Sequence, residues 1–181
     1  MVAPTDDTQL EYLRDLKQQA LDMNAEAFAK RHAGFFLLGQ IPADEGDEWS
    51  FTTDVRAMDS YGFPTGKRQV EDSGTRFLWR VEKTGRNAFS SHISVGRATN
   101  NDIILRHHSV SKLHAHFYLG SRGIFRKKTG DLQVADVGSA NGTQANGATL
   151  KEGDQETVPS GSHLTFGEIH CEILDAAALY K

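Results

Sequence analysis

Cysteine is nearly absent from this 181-residue chain: Cys171 stands alone, which excludes an internal disulfide and a cysteine-built zinc cage. Long apolar runs are missing too, none approaching the roughly 20 residues a membrane helix needs. Asp6, Asp7 and Glu11 occupy the place where a secretory leader would be positive and then apolar. A cytoplasmic protein without membrane contact is the expectation. There is also no dense basic stripe, and so no nucleic-acid partner is expected. The net charge of -4 is unevenly placed, with 7 Lys/Arg against 14 Asp/Glu in residues 1–75 and 13 against 10 in residues 76–181. Only the later part favours anions, and weakly.

What is present begins with a helix signal. Thr8-Gln9-Leu10-Glu11 matches a capping box. Leu13, Leu16, Ala20, Met23 and Ala27 follow at spacings of three and four, which predicts one helix over about 9–32 with a single apolar stripe. That stripe suits docking on its own domain, or a seam for self-association. Phe35-Phe36-Leu37-Leu38 reads as a strand or an extended docking segment, Trp49 to Ala57 as an alternating strand, and residues 59–75, with Gly62, Pro64, Gly66 and Gly74, as a loop and domain boundary. Residues 1–75 are therefore expected to form an N-terminal extension.

Beyond it, short apolar-alternating runs recur between turn residues, at about 76–83, 91–96, 102–106, 113–120, 123–126, 131–137, 143–150, 155–158, 162–166 and 168–174. No helical period interrupts them, which predicts a mainly β domain of sandwich type over 76–175. Cys171 falls inside the last run as a small core residue. Residues 176–181 read as a tail with a fraying helical turn.

Several constellations invite chemistry. His107, His108, His114 and His116 fall close together, and His114 and His116 would share a strand face, a spacing that zinc sites use. His107 and His108, however, are loop neighbours with no carboxylate beside them in the sequence, so structural histidines are expected, with no metal and no cofactor. Ser111, His114 and Asp136 supply the residue types of a hydrolytic triad, but no nucleophile elbow or oxyanion loop accompanies them, and no enzyme is expected. Gly96-Arg97 is followed by no helix, unlike a dinucleotide fingerprint or a P-loop. Arg126-Lys127-Lys128 reads as a solvated hairpin tip.

An anion-binding pattern remains. Arg97 follows a glycine at a strand end, Ser111 and Lys112 open another strand, and Asn141 sits in a glycine-flanked loop. A guanidinium fork, an ammonium and a hydroxyl suit a phosphate dianion. An amide offers both a donor and an acceptor to an extended peptide backbone.

Taken in order, Gly96-Arg97, Ser111 with His114, Asn141-Gly142-Thr143, Asn146-Gly147 and the late Leu164-Thr165-Phe166-Gly167 closely resemble the forkhead-associated (FHA) domain over about residues 76–175. The resemblance implies an eleven-stranded β-sandwich, here with an N-terminal α-helical extension, whose loops at one end bind phosphothreonine in a partner protein. It implies that Arg97, Ser111 and Lys112 hold the phosphate and that Asn141 bonds the peptide main chain. His114 would brace the binding loops from beneath, and Gly96, Gly142, Asn146 and Gly147 would shape them. The implied role is a non-catalytic adaptor or scaffold in Ser/Thr-kinase signalling, with a kinase or its substrate as partner. The chain departs from the family at Ala140, where many members carry Thr or Ser, and at Lys112, where arginine is common. The alternative is a phosphate-independent assembly protein that uses the sandwich and the N-terminal helix for contacts.

Overall fold

Phe35, Phe36, Leu37 and Leu38 run without a polar break because both faces of their strand are covered. In the computed structural model, which describes residues 15–42, 74–120 and 131–180, they open strand β1 (Phe35–Pro42). Leu37 points into the core between two sheets. Phe36 and Leu38 point outward beneath a cap of helices. A strand covered on both faces loses the polar alternation that usually marks one.

Eleven strands among the described residues form a sandwich. One sheet runs β2 (Gly74–Arg80), β1, β11 (Ile169–Asp175), β10 (His163–Phe166), β7 (Thr143–Ala145) and β8 (Ala148–Thr149). The other runs β4 (Ile103–Ile104), β3 (Ile93–Gly96), β5 (Ala115–Leu119), β6 (Leu132–Asp136) and β9 (Gln155–Thr157). The described pairings are antiparallel except β3 with β4, which are parallel and set Val95 against Ile103. Val95, Phe117 and Val134 from the five-stranded sheet meet Leu37, Phe77, Leu164, Phe166 and Ile173 from the six-stranded one. Cys171 is buried among them, and burial pushes its thiol far above the ordinary range. It is a core residue, as expected.

The expected boundary at residue 76 does not separate the sandwich from what precedes it. β1 lies between β2 and β11, pairing Leu38 with Leu78 on one side and with Glu172 on the other. The extension thus contributes an interior strand.

The single helix expected over 9–32 is two. Helix α1 is described over 15–22 and α2 spans Ala25–Arg31. Asn24 lies in extended conformation between them, and its side chain accepts a hydrogen bond from the Ala27 N–H at 2.9 Å. An asparagine side chain competes well with the helical backbone for such a donor. A third helix, α3 (Ala176–Leu179), is capped in the same way by Asp175. What the sequence presents as a fraying tail is docked: Ala176 is buried, and Tyr180 donates to the Met23 carbonyl and packs on Phe28.

Leu16, Phe28 and Ala176 cover Phe36 and Leu78 on the outer face of the six-stranded sheet. Leu16, Ala20 and Met23 of the expected stripe are used within the chain, whereas Ala27 is exposed and Phe28 is buried in its stead after the break at Asn24. Arg80 fastens this cap by donating to the Ala33 carbonyl at 2.9 Å. The capping box at Thr8, the strands expected at 49–57 and 123–126 and the cluster Arg126-Lys127-Lys128 lie outside the described residues. No helix among the described residues is long and apolar enough to cross a membrane.

Candidate functional site

At one end of the sandwich the loops between β3 and β4, β4 and β5, and β6 and β7 come together through backbone groups. Arg97 N–H donates to the Ser111 carbonyl at 3.0 Å, and Ala98 N–H to the Lys112 carbonyl at 3.2 Å. Asn101, 3% exposed, locks this junction by donating to the carbonyls of Ala98 and Lys112 at 2.9 and 2.7 Å. Gly96 is required by close approach, since a Cβ there would strike the Lys112 carbonyl and the Asn101 amide. These contacts place Arg97 and Ser111 side by side.

Ser111 joins the second pair of loops. Its Oγ accepts a hydrogen bond from Ala140 N–H at 3.0 Å. A hydroxyl that accepts from the backbone keeps its own proton for an incoming acceptor. The departure at Ala140 leaves this link intact, because the residue contributes its N–H to it and not its side chain. Asn141 donates to the Ser109 carbonyl at 2.8 Å, leaving its Oδ1 and second N–H for a ligand.

His114 lies beneath the hub and is fully buried. Its Nδ1 accepts from Ser111 N–H at 3.0 Å, which puts the ring proton on Nε2, 3.1 Å from the Gly142 carbonyl. Burial holds its pKa below the ordinary value, against the opposing effects of the Gly142 carbonyl and Asp136. A neutral imidazole thus ties the Ser111 loop to the Gly142 loop. Both ring nitrogens are engaged, and the Ser111 contact is to the amide, so Ser111, His114 and Asp136 do not form a nucleophilic triad.

Asp136 shapes the β6–β7 loop instead. Its carboxylate accepts from the Gly138 and Ser139 amides and from the hydroxyls of Ser139 and Thr143, at 2.6 to 2.9 Å. Burial opposes its ionisation, but these bonds outweigh burial and hold the carboxyl below the usual range.

On the loops that meet at the hub, Arg97, Arg106 and Lys112 are exposed, and their side chains form no hydrogen bond or ion pair with the described residues. Three unpaired cations beside a hydroxyl donor can receive an anion without first breaking an internal pair.

The expected site set is only partly brought together. Gly96, Arg97, Ser111, Lys112, His114, Asn141 and Gly142 share this end. Asn146 and Gly147 do not: they turn the β7–β8 hairpin at the far end of β7, with φ of 50° and 83°. Such positive φ values are what a two-residue hairpin turn demands, and Asn-Gly meets them. Asn146 also exchanges hydrogen bonds with the backbone of His163. His116 does not share a site with His114 either. It faces outward and stacks on His92 with ring centroids 3.8 Å apart. Asn101 and Asp136 were missed as positioning residues, because side-chain bonds to backbone leave no periodic trace in a sequence.

The FHA domain family model matches residues 93–167, the span that holds this hub. The chain is 30% identical over 150 residues to the glycogen accumulation regulator GarA of Mycolicibacterium smegmatis, covering 77% of this chain and 80% of that protein. It is 27% identical over 139 residues to the oxoglutarate dehydrogenase inhibitor of Corynebacterium diphtheriae, with 77% and 82% covered. Among solved structures, the N-terminal FHA domain of Rad53p from S. cerevisiae in complex with a phosphothreonine peptide aligns with a TM-score of 0.43 at 20% identity, over 54% of this chain and 83% of that one.

Proposed function

The chain belongs to the FHA-domain family, and on that premise we propose that it is a non-catalytic reader of phosphothreonine, acting as an adaptor in Ser/Thr-kinase signalling. The observation that carries this reading is the hub itself: Ser111 accepts from Ala140 N–H, which leaves its hydroxyl proton to donate, and the loops it joins carry the exposed, unpaired side chains of Arg97 and Lys112. In this reading Arg97 and Lys112 neutralise the phosphate, Ser111 donates to one of its oxygens, and Asn141 holds the peptide backbone beside it. The partner is a phosphothreonine-bearing protein, a Ser/Thr kinase or its substrate. The names of the two relatives, a regulator and an inhibitor, suit a protein that acts by binding.

Calorimetry against a phosphothreonine peptide library and its unphosphorylated counterpart tests this. Binding is expected for the phosphorylated peptides alone. Arg97→Ala should weaken it at least tenfold, since a charged hydrogen bond contributes about 1.5–3 kcal/mol. An exposed arginine leaves stability within about 0.5 kcal/mol when removed. Binding unchanged in that variant would sink the assignment.

A further inference from the structure

The loop that carries His107 and His108 meets, in the fold, a carboxylate far away in sequence. Donor atoms of His107, His108 and Glu168 all lie within 4.8 Å of one another. The two rings face each other with centroids 4.3 Å apart. Glu168 is brought in by the turn between β10 and β11, where its N–H donates to Ser109 Oγ at 3.0 Å. The same Ser109 Oγ lies 2.7 Å from His107 Nδ1. One serine hydroxyl therefore holds both the buried imidazole and the backbone of the residue that bears the carboxylate.

From this arrangement we propose that His107, His108 and Glu168 form a binding site for a divalent transition-metal ion of the zinc type, linking the β4–β5 loop to the β10–β11 turn. Two imidazoles and one carboxylate are a ligand set suited to zinc, cobalt or nickel and poor for magnesium or calcium, which prefer oxygen throughout. Tetrahedral ligands around zinc sit roughly 3.4 Å apart for bonds of about 2.0–2.1 Å. The set must therefore close slightly, and it can: His108 and Glu168 are exposed, while His107 is held. A hydrogen bond at one ring nitrogen is the usual means of aiming the other nitrogen of a ligating histidine. Ser109 N–H also donates to Nδ1, at 3.3 Å, so the metal-free ring carries its proton on Nε2; an ion at Nε2 displaces that proton to Nδ1, where Ser109 Oγ, 2.7 Å away, can accept it. Ser109 also carries the carbonyl on which Asn141 rests. An ion here would brace the loop against which the candidate peptide-contacting amide is set.

The test needs no peptide, and so its outcome is independent of the phosphothreonine reading. The untagged chain is titrated with Zn²⁺ by calorimetry and with Co²⁺ by visible absorption, with Mg²⁺ as the comparison. One Zn²⁺ per chain is expected, with affinity falling at least tenfold in His108→Ala and in Glu168→Gln. Both residues are exposed, so both variants should keep the wild-type melting temperature in chelator. His92→Ala, in the other histidine group, should bind Zn²⁺ as the wild type does. The assignment is overturned by any of three results: no saturable Zn²⁺ binding, equal affinity for Mg²⁺, or binding that survives His108→Ala and Glu168→Gln but not His92→Ala.

Discussion

Two polar regions of the sandwich treat charge in opposite ways. In the first, Asp102 is 2% exposed and takes up donors from every side: Lys83 Nζ at 2.8 Å, the amide and hydroxyl of Thr84, the amide and hydroxyl of Ser94, and the Asn87 side chain. In the second, Arg97, Arg106 and Lys112, on the loops that meet at Ser111, are exposed, and their side chains pair with none of the described residues. The two regions are joined through neighbouring residues, Asn101 locking one and Asp102 the other. Charge that the fold pairs is holding the loop between β3 and β4. Charge that it leaves unpaired at the same loop is available to a ligand.

The largest effect should come from breaking the paired region. Asp102→Ala leaves Lys83 with Asn87 alone and strands the Thr84 and Ser94 donors; with the lysine partly exposed, the cost is expected at the low end of the range for a buried ion pair, about 3 kcal/mol. Urea unfolding measures it. The pH dependence follows from the same carboxylate. Burial opposes its ionisation, yet the bonds from Lys83, Thr84 and Ser94 win and hold its pKa well below the ordinary value. With the folded pKa depressed, the stabilisation is complete above the unfolded value of about 3.9 and drains away as pH falls below it. If Asp102→Ala unfolded at the wild-type urea midpoint, the network would be decoration and the contrast with the second region would fail.

Next in size is Leu16→Ala, expected to cost about 2–3 kcal/mol by opening a cavity over Phe36 and Leu78. This change sharpens the comparison from the apolar side. A stripe used within the chain gives a stability loss and no change in sedimentation, whereas a self-association seam gives the reverse. Ser111→Ala follows, with a smaller loss. Ala140 N–H loses its acceptor, at about 1 kcal/mol. Phosphopeptide affinity should fall about tenfold, while melting temperature moves by only a few degrees.

The candidate hub was legible in the sequence because it is built from residue types at loop positions that mark strand ends: Gly96-Arg97, Ser111, His114 and Asn141-Gly142. The cross-links between its loops were not. Asn101 bonds to carbonyls at Ala98 and Lys112, and nothing in the order of residues distinguishes it from a surface asparagine. Strand β1 was legible only as one of two alternatives, a strand or an extended docking segment, because cover on both faces removes the alternation that would have decided it. The break at Asn24 was masked for the opposite reason: the apolar period runs straight across it, from Met23 to Ala27, while the cap that ends the helix depends on one side-chain bond. Glu168 was not legible as a neighbour of His107 and His108, because it lies 60 residues along the chain from His108, a gap that the β10–β11 turn closes.

The smallest effect tests a polar group that is neither paired nor offered to solvent. His92 and His116 stack on the outer face of the five-stranded sheet, flanked by Phe89 and Tyr118, and the Nε2 atoms of both are buried without a partner among the described residues. Burial, then the neighbouring His92, pushes the His116 pKa down to about 4, with Lys83 acting in the same direction and Asp102 against it. Because the folded value lies below the unfolded one near 6.5, the unfolded chain takes up the proton first as pH falls. The stacked pair should therefore favour the fold fully above about pH 6.5 and progressively less down to about pH 4. His116→Gln, which keeps a polar planar group there, should flatten that part of the stability profile and leave the loss below pH 4, which belongs to Asp102 and Asp136, in place. A profile identical to the wild type between pH 6.5 and 4 would mean that the imidazole is solvated in the folded state, and the outer face would then belong with the unpaired charges of the binding end.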